Sequence, residues 1–292
     1  MNEVSPVFTT VVTDKYAAGA RVLFESLAEH HPGLRFFTLA VDDSVSKKLP
    51  SCMNPISPTV LSRSPHPDVH YDAFELCNAL RYSWIEYLMK KESPSHVVYL
   101  DADILVLGSF APLFDSMGDS AFCLTPHILR PFPSDGHRPN DASLIDFGFY
   151  NSGMLAFAAN GKTPRILEFM KERAEQYCYN DPPRYFVDQK ILPLATGLFS
   201  EAFLQLKHPG FNVAYWNLHE RLLSYSGGRF RSNSETLVFF HFSGFDVESP
   251  DCLTRWPSRP LGENTEVVKQ LLKGYCVRLA RAFEETARLE LG

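Results

Sequence analysis

The sequence lacks the features that mark several large classes of protein. It carries 28 Lys and Arg residues against 34 Asp and Glu residues, a formal net charge of -6, and the basic residues form no stripe. Because nucleic-acid binding depends on clustered basic side chains that neutralise phosphates, we expect no nucleic-acid partner. No uninterrupted apolar run approaches the roughly 20 residues that cross a bilayer, so we expect no transmembrane segment.

Cysteines are few and widely scattered. None of the six, at Cys52, Cys77, Cys123, Cys178, Cys252 and Cys276, forms a C-x-x-C pair. The start of the chain also lacks the charged and apolar regions of a secretory signal. These observations argue against a disulfide framework or a zinc knuckle. They favour reduced thiols in a cytoplasmic protein, and they leave open a peripheral contact with the inner face of the membrane.

What the sequence does contain is an alternation of strand-like and helix-like segments. With 292 residues, of which 45% are hydrophobic, the chain is long enough for a full core. Its periodicity predicts a strand at residues 7–13, a helix at about 16–30, a strand at 35–41, a helix near 73–91 and then an apolar strand that runs into two aspartates. This alternation is typical of a parallel sheet with helices on both faces, and ligands bind such sheets at the carboxyl ends of the strands.

The second half of the chain is less regular. A Pro-, Gly- and polar-rich stretch from Thr125 to Asp146 is long for a connection inside a compact domain, and such loops are commonly lids or binding loops. Beyond it we predict a helix at about residues 164–177, an apolar strand within 236–244 and a final helix at about 264–291. For the final helix, packing on its own domain and formation of a homodimer are both open.

Two carboxylates two positions apart interrupt the apolar segment YLDADIL. Side chains at positions i and i+2 of an extended segment face the same side, so we expect Asp101 and Asp103 to converge. Two anions this close are stable only if a cation or a proton lies between them, and a divalent metal is the simplest solution. The alternative is a strand-ending turn in which an Asp serves as a cap.

A buried arginine is expected in the helix that precedes these carboxylates. Arg81 lies in the middle of an apolar helix face formed by Phe74, Cys77, Trp84, Ile85 and Leu88. Breaking a buried ion pair costs about 3 to 5 kcal/mol, so a buried guanidinium needs an anionic partner. That partner is either an internal carboxylate such as Asp101 or the diphosphate of a nucleotide bound beside it.

A histidine follows the apolar run in TLVFFHFSG. His241 precedes Ser243 and Gly244, small residues that allow a ligand to approach the backbone closely. A single His more often has a structural role than a ligating one. With the two aspartates, however, it would complete a set of one nitrogen and two oxygen donors, which suits Mn²⁺ and also accepts Mg²⁺.

The order of these motifs resembles a known family. The segment YLDADILV, preceded by ALRY and followed by YNSGMLAF, VDQKIL and FFHFSG, is similar to the nucleotide-sugar-dependent glycosyltransferases of family 8, the group of glycogenin and the bacterial lipopolysaccharide galactosyltransferases. The similarity covers roughly residues 5–250. The segments TPHILRPFPSDG and FNVAYWNLHER look more like a subgroup found in bacterial surface-polysaccharide gene clusters.

The resemblance implies a fold, an activity and site residues. It implies an α/β GT-A fold, with a Rossmann-like mixed sheet, helices on both faces and a C-terminal helix, and a retaining transfer of a hexose from a UDP-sugar with Mn²⁺ or Mg²⁺. Asp101, Asp103 and His241 would hold the metal. The donor site would include Thr9, Thr10, Arg81, Asp101, Ala102, Asp103, Asn151, Gly153 and Gly244. Asp188 and Gln189 would form the catalytic pair near the sugar.

The same resemblance suggests a division of the chain and reveals one departure. Residues 1–260 would form the GT-A domain, with a nucleotide-sugar-binding half at 1–160 and an acceptor-side half at 161–260, before a helical segment at 261–292. Family members often carry a Lys a few residues after the metal-binding His and Gly, and HFSGFDVESP has none. Arg255 or a residue of the long loop is the candidate replacement at the diphosphate.

The acceptor side is less defined by the sequence. The acceptor would be a glycan, a lipid-linked glycan or a protein, and the stretch from Thr125 to Asp146 would close over the donor to exclude water. Five residues of FNVAYWNLHER are candidates to contact an acceptor sugar or, alternatively, to pack in the core: Asn212, Tyr215, Trp216, Asn217 and His219.

Two other functions are compatible with a D-x-D motif. Phosphatases of the haloacid-dehalogenase type also place D-x-D after an apolar strand, with the first Asp as nucleophile. Their motif usually lies near the start of the chain, and this sequence shows no convincing downstream Lys and acidic pair. A catalytically inactive sugar-binding module is the non-enzymatic alternative, and the intact Asp, Asp, His set argues against it.

Overall fold

The structure is a computed structural model that describes residues 5–61 and 69–290. The strands within these ranges are β1 (Val7–Val12), β2 (Phe36–Ala40), β3 (Pro55–Ile56), β4 (His96–Leu100), β5 (Ile104–Val106), β6 (Phe122–Pro126), β7 (Tyr150–Ala158), β8 (Phe203–Gln205), β9 (Leu223–Ser226), β10 (Arg229–Ser232), β11 (Glu235–Thr236) and β12 (Phe239–His241). The α-helices are α1 (Ala17–His30), α2 (Asp43–Lys48), α3 (Ala73–Glu92), α4 (Ala111–Met117), α5 (Asp141–Phe147), α6 (Thr163–Tyr177), α7 (Leu192–Leu198) and α8 (Thr265–Glu290).

Seven strands form a mixed central sheet in the order β3-β2-β1-β4-β7-β6-β8. The strands β3, β2, β1 and β4 run parallel to one another, as the alternation of strands and helices predicts. Strand β7 is antiparallel to both of its neighbours, β4 and β6, so the sheet as a whole is mixed. The predicted α/β class with a mixed sheet is therefore confirmed.

Helices cover both faces of this sheet because side chains alternate along each buried strand. In β1, Phe8 and Val12 pack into the core layer that contains Leu23 of α1. Val7 and Val11 point the other way, into the layer that contains Trp84 of α3. All six residues of β1 are buried, which explains its unbroken apolar and Thr-rich sequence.

A short second ribbon joins two parts of the chain that are distant in sequence. Strand β12 pairs antiparallel with β5, and His241 lies opposite Ile104. Just beyond the ribbon, the backbone N–H of Phe242 donates to the carbonyl of Asp103 over 2.9 Å. This pairing brings the predicted histidine beside the predicted aspartates.

The final helix, α8, packs on its own chain. Its buried side chains, among them Val268 and Leu271, share a core layer with Val22 of α1. Tyr275 stacks on Phe242 with ring centroids 3.9 Å apart. The predicted end of this helix at Leu291 lies outside the described residues, and the division of the chain at residue 260 stays a prediction.

Among the described residues, no helix combines the length and apolar character that a membrane span requires.

Two expectations about local structure are wrong in part. The stretch from Thr125 to Asp146 is not one structureless loop, because it contains the end of β6 and most of α5. Its middle is tied down by Arg259, whose Nη1 donates to the carbonyl of Pro139 over 3.1 Å. A role as a lid stays a prediction. Phe74, placed on the apolar face of α3, is 46% exposed, because it lies in the first turn, before the helix runs beneath its neighbours.

Candidate functional site

The two aspartates lie in a tight turn between β4 and β5. The backbone N–H of Ile104 donates to the carbonyl of Asp101 over 3.3 Å, which closes the turn. The extended geometry expected for this segment is therefore wrong, although the two carboxylates do converge. The carbonyl of Ala102 contacts α1 at Gly19, where an added Cβ would lie only 2.6 Å from the oxygen.

Asp101, Asp103 and His241 form one cluster of potential metal ligands. One ligand atom from each lies within 4.8 Å of the others. Nε2 of His241 is 3.0 Å from Oδ1 of Asp103 and 3.9 Å from Oδ2 of Asp101. The imidazole is buried, whereas about a quarter of each carboxylate side chain remains exposed. The cluster is therefore closed on the histidine side and open on the carboxylate side.

The donor set fits a divalent cation. Adjacent ligands on an octahedral ion with bonds of about 2.1 Å lie about 3 Å apart, which matches the separation of Nε2 and Asp103 Oδ1. That buried oxygen accepts no well-aligned hydrogen bond from the protein. Buried polar atoms are normally satisfied, and a divalent cation bound to this oxygen and to the facing imidazole nitrogen would satisfy it. Two carboxylates and one imidazole suit Mn²⁺ or Mg²⁺.

The protonation equilibria of the three residues are coupled. Burial raises the pKa of Asp101, and the nearby Arg81 only partly offsets this effect. Burial also opposes ionisation of Asp103, but attraction to His241 outweighs it and lowers the pKa of Asp103. Burial disfavours the charged imidazole, yet attraction to Asp103 and Asp101 raises the pKa of His241. The pKa of each of the three residues is therefore set by burial and by the charges of its neighbours.

Arg81 joins this cluster to a second buried carboxylate. The side chain is 4% exposed, and its Nη2 donates to Oδ1 of Asp101 over 2.7 Å. Its Nη1 lies 3.3 Å from Oδ2 of Asp188 and donates to Oγ of Ser152 over 2.9 Å. Tyr99 adds a hydroxyl donor to Asp101 over 2.7 Å. The predicted burial of Arg81 and its pairing with Asp101 are confirmed, while Asp188 and Ser152 as partners were missed.

The structure brings the predicted catalytic pair beside this arginine. Asp188 is fully buried and accepts from the Tyr82 hydroxyl over 2.9 Å. The amide oxygen of Gln189 accepts from Nδ2 of Asn151 over 3.0 Å and from the backbone N–H of Ser152 over 3.1 Å. Its amide nitrogen donates to the carbonyl of Phe147 over 2.9 Å. The roles assigned to Asp188 and Gln189 stay predictions.

The predicted donor residues of β7 lie directly behind the metal cluster. The backbone N–H of Gly153 donates to Oδ1 of Asn151, and its carbonyl accepts from the N–H of Asp101, both over 2.9 Å. A Cβ at Gly153 would lie 2.4 Å from Cε1 of His241. Only glycine therefore allows β7 and the imidazole to approach this closely.

The structure places three further residues for which a contact with the donor stays a prediction. The Thr9 hydroxyl donates to the carbonyl of Phe37 over 2.7 Å and accepts from the Trp84 indole over 2.6 Å, so it is occupied inside the sheet layer. Thr10 is also buried, on the opposite face of β1, and its hydroxyl has no hydrogen-bond partner. At Gly244 an added Cβ would lie 2.4 Å from the Trp256 ring. The space expected for a ligand over Gly244 is filled by that ring.

The candidates for acceptor binding are mostly interior residues. Asn212, Trp216 and Asn217 are buried. Asn217 uses its amide to accept from the N–H of Ala214 and to donate to the carbonyls of His127 and Asn212. These contacts favour the core-packing alternative for the three buried residues. Tyr215 and His219 are half-buried, and a contact with an acceptor stays a prediction for them.

The sequence analysis did not identify Tyr16, an aromatic residue near the metal cluster, as a functional candidate. Tyr16 is 42% exposed, and it directly precedes α1, just beyond the carboxyl end of β1. Partial burial raises the pKa of Tyr16, the negative charge of Asp103 raises it further, and Arg255 acts in the opposite direction. Tyr16, Asp103 and Arg255 are thus close enough to interact. The available signal was its position at the carboxyl end of the first strand, where ligands of parallel sheets bind.

Comparisons with known proteins agree with this geometry. The sequence model described as Glycosyl transferase family 8 matches residues 8–244. Among curated proteins of Bacillus subtilis (strain 168), the chain is 27% identical to YfnF over 181 residues, which are 61% of this chain and 59% of YfnF. It is 22% identical to YfnD over 297 residues, which are 95% of this chain and 90% of YfnD. Both of these relatives carry the name "uncharacterized protein".

A solved structure supports the fold independently of sequence identity. The galactosyltransferase LgtC, in complex with donor and acceptor sugar analogs, superposes with a TM-score of 0.54 at 19% identity, covering 92% of this chain and 94% of LgtC. At this identity the likeness concerns the fold alone, and it agrees with the predicted GT-A architecture. The family match spans most of the chain, including the D-x-D turn, the Asp188 segment and His241. The chain therefore belongs to glycosyltransferase family 8.

Proposed function

We propose that this protein is a metal-dependent, retaining hexosyltransferase that uses a UDP-sugar as donor. The observation that carries the proposal is the convergence of Asp101, Asp103 and His241 just beyond the carboxyl end of the central strand β4, with a buried oxygen of Asp103 left unsatisfied. Membership of family 8 supports a glycosyltransferase and argues against a phosphatase of the haloacid-dehalogenase type. The complex of LgtC with donor and acceptor sugar analogs supports a sugar acceptor.

The three clustered residues would hold Mn²⁺ or Mg²⁺. When bound, the cation would supply Lewis-acid stabilisation for the negative charge that develops on the departing diphosphate. His241 is the buried member of the set, and the two partly exposed carboxylates leave the opposite side accessible to a donor. Tyr16, half-exposed at the start of α1 and within electrostatic range of Asp103, would contact the nucleotide base.

Arg81 would orient two carboxylates, one on the diphosphate side and one on the sugar side of the bond between the sugar and the diphosphate. Its guanidinium contacts Asp101 in the metal cluster and Asp188, which is assigned to the sugar. A fixed positive charge between the two sites needs no reorganisation when negative charge develops, which is how preorganised groups stabilise a transition state. Arg81 would therefore fix the relative positions of the metal and sugar sites.

Arg255 is the proposed replacement for the missing Lys at the diphosphate. Its backbone N–H donates to the carbonyl of Gly244 over 2.9 Å, three residues beyond His241. The guanidinium is exposed, lies 4.7 Å from the Trp256 ring centroid, and influences the pKa of Tyr16. These observations support an exposed positive charge, held by its backbone contact with Gly244, that would bind an anionic donor.

Asp188 and Gln189 would act on the sugar. Asp188 would bind sugar hydroxyls, and the amide oxygen of Gln189 would stabilise positive charge at the anomeric carbon, because an amide is too weak a base to activate an acceptor. The departing phosphate oxygen would then take the acceptor proton, which gives an α-linked product from an α-configured donor.

Asp188→Ala should lose most activity and Gln189→Ala less. The NMR coupling constant of the new anomeric proton distinguishes the two linkages. A β-linked product would contradict the roles proposed for Asp188 and Gln189.

We further propose that the acceptor is a glycan, a lipid-linked glycan or a protein, and that the reaction serves bacterial surface-polysaccharide synthesis in the cytoplasm. The resemblance of TPHILRPFPSDG and FNVAYWNLHER to proteins of such gene clusters supports this setting. A peripheral contact with the inner membrane face and a homodimer remain compatible with it.

The decisive test is release of UDP from a panel of UDP-sugars with and without Mn²⁺. A hexosyltransferase should release UDP from one UDP-hexose, fastest with an acceptor present, and EDTA should abolish the release. The matched control is Asp103→Ala, which should bind neither metal nor donor. Absence of UDP release from every donor, with donor binding retained, would instead support an inactive sugar-binding module.

A further inference from the structure

We propose that Asn212 is a positioning residue that keeps the proton of His241 on Nδ1, so that Nε2 faces the two carboxylates as a metal ligand. The inference rests on the proposed metal role of His241. Asn212 touches neither carboxylate of the cluster in any hydrogen bond, so it would act only through the imidazole. From the sequence, Asn212 was a candidate for contact with an acceptor sugar or for packing in the core.

The two nitrogens of His241 face different partners. Nδ1 lies 3.1 Å from Oδ1 of Asn212, within the protein interior. Nε2 lies 3.0 Å from Oδ1 of Asp103, at the metal cluster. A nitrogen that faces an amide oxygen must carry a proton to make a hydrogen bond. If Asn212 presents oxygen, the neutral imidazole therefore has its lone pair on Nε2.

The orientation of the Asn212 amide follows from a backbone group. The N–H of Gly153 can only donate, so the Asn151 atom that it meets over 2.9 Å is oxygen. The Asn212 atom that lies 3.0 Å from the same oxygen must then be the amide nitrogen. That nitrogen also donates to Oγ1 of Thr125 over 2.9 Å. Both amide hydrogens are used, and only oxygen remains to face His241.

The backbone around Asn212 favours the same arrangement. Asn212 has a φ of 52°, in the left-handed region that Asn tolerates better than most residues. The next residue, Val213, accepts from the N–H of His241 over 2.8 Å, which places the two segments side by side. The side chain of Asn212 is completely buried, so no water competes for its oxygen. A proton on Nε2 would leave two acceptors, Nδ1 and the Asn212 oxygen, facing each other in the interior, which is costly. With the proton on Nδ1, a cation bound between Nε2 and Asp103 removes the corresponding conflict on the other side of the ring.

Groups that orient a ligating histidine control metal affinity. Loss of such a partner typically reduces metal affinity by about 10- to 100-fold, because the imidazole no longer presents one nitrogen in one direction. The structure therefore predicts that metal affinity depends on an amide that never touches the metal.

Three variants separate this role from a general loss of stability. Asn212→Gly removes the amide and tolerates the positive φ. Asn212→Asp keeps an oxygen acceptor for Nδ1 and is the conservative rescue. The matched control is Asn264→Ala, since Asn264 is also buried and donates to the carbonyls of Leu218 and Arg221, with no contact to His241.

Two measurements are required on the folded full-length proteins. Calorimetric titration should show Mn²⁺ affinity reduced about 10- to 100-fold in Asn212→Gly and unchanged in Asn264→Ala. The reduction should be smaller in Asn212→Asp, which keeps the acceptor for Nδ1 but loses the N–H donations to Asn151 and Thr125. Nitrogen-15 NMR of the wild type saturated with Mg²⁺, which is diamagnetic, should place the His241 proton on Nδ1. The His241 signal is identified as the one missing from His241→Gln.

The outcomes distinguish this inference from the proposed function. Wild-type Mn²⁺ affinity in folded Asn212→Gly, or affinity in Asn212→Asp as low as in Asn212→Gly, would overturn the inference. A proton on Nε2 in the Mg²⁺-saturated wild type would also overturn it, and this measurement needs no folded variant. If the wild type binds neither Mn²⁺ nor Mg²⁺, the proposed metal-dependent function and this inference both fail. If the wild type binds Mn²⁺ and folded Asn212→Gly binds it equally well, only the inference fails.

Discussion

A single methyl group at Gly153 would test the geometry of the metal cluster. The Cβ of Gly153→Ala would lie 2.4 Å from Cε1 of His241 and 2.7 Å from Oδ1 of Asn151. Carbon atoms in contact are about 3.5 Å apart, so the imidazole must retreat by about 1 Å. It cannot do so freely, because it is 3% exposed and the Trp216 ring packs edge-on against it, 5.3 Å away.

The expected effect is large because metal ligands tolerate little displacement. Ligand distances are held within about 0.2 Å, so a shift of about 1 Å removes His241 as an effective ligand. We expect Mn²⁺ affinity to fall about 10- to 100-fold. We expect turnover to fall about 100-fold, because a misplacement of about 1 Å has effects of this size. Overpacking should also lower the free energy of unfolding by about 1–3 kcal/mol.

The assay compares Gly153→Ala with Gly161→Ala. At Gly161 an added Cβ would meet no atom within 4 Å, so the same substitution should leave all three quantities near wild type. Mn²⁺ titration, UDP release and urea unfolding measure the three effects separately. Wild-type Mn²⁺ affinity and turnover in Gly153→Ala would refute the assignment of His241 as a metal ligand held against β7.

Three further predictions address the same region. Asp103→Ala and His241→Ala should each abolish Mn²⁺-dependent UDP binding while the far-ultraviolet circular dichroism stays native, since two ligands hold an ion weakly; retained Mn²⁺ dependence in His241→Ala would eliminate the three-ligand set. Arg81→Met leaves Asp101 and the buried Asp188 without their cation, so urea unfolding should show a loss of about 3 to 5 kcal/mol, and the donor KM should rise; unchanged turnover would leave only a structural role. Burial lowers the pKa of His127 to about 4, below the value of about 6.5 in the unfolded chain, so the unfolded state binds the extra proton and stability should fall as the pH drops from about 6.5 to about 4, by about 3 kcal/mol in total. His127→Asn should remove this part of the pH dependence in urea unfolding at several pH values, and an unchanged pH profile would show that His127 is not its source.

Local signals in the sequence account for the elements and for part of the site. The buried run of β1 and the apolar face of α3 are both visible in the sequence, and Asp72 and Glu75 form a reciprocal cap at the start of α3. Asp101, Asp103 and Arg81 could be chosen as functional candidates because charges interrupt apolar patterns, and isolated charges in such patterns need partners. The order of motifs identified the family.

Tertiary structure decided how these residues meet. The pairing of β12 with β5 places His241 beside Asp103, and no pattern within either segment specifies that these two distant segments pair. The same holds for Asp188 as the second partner of Arg81, for Trp256 over Gly244, and for the chain of amides from Gly153 through Asn212 to His241. The sequence by itself determined which segments form strands and helices and which side chains carry charge, since these properties depend on neighbours along the chain. Distances between those charges depend on packing between segments far apart in sequence, and only the folded structure determines them.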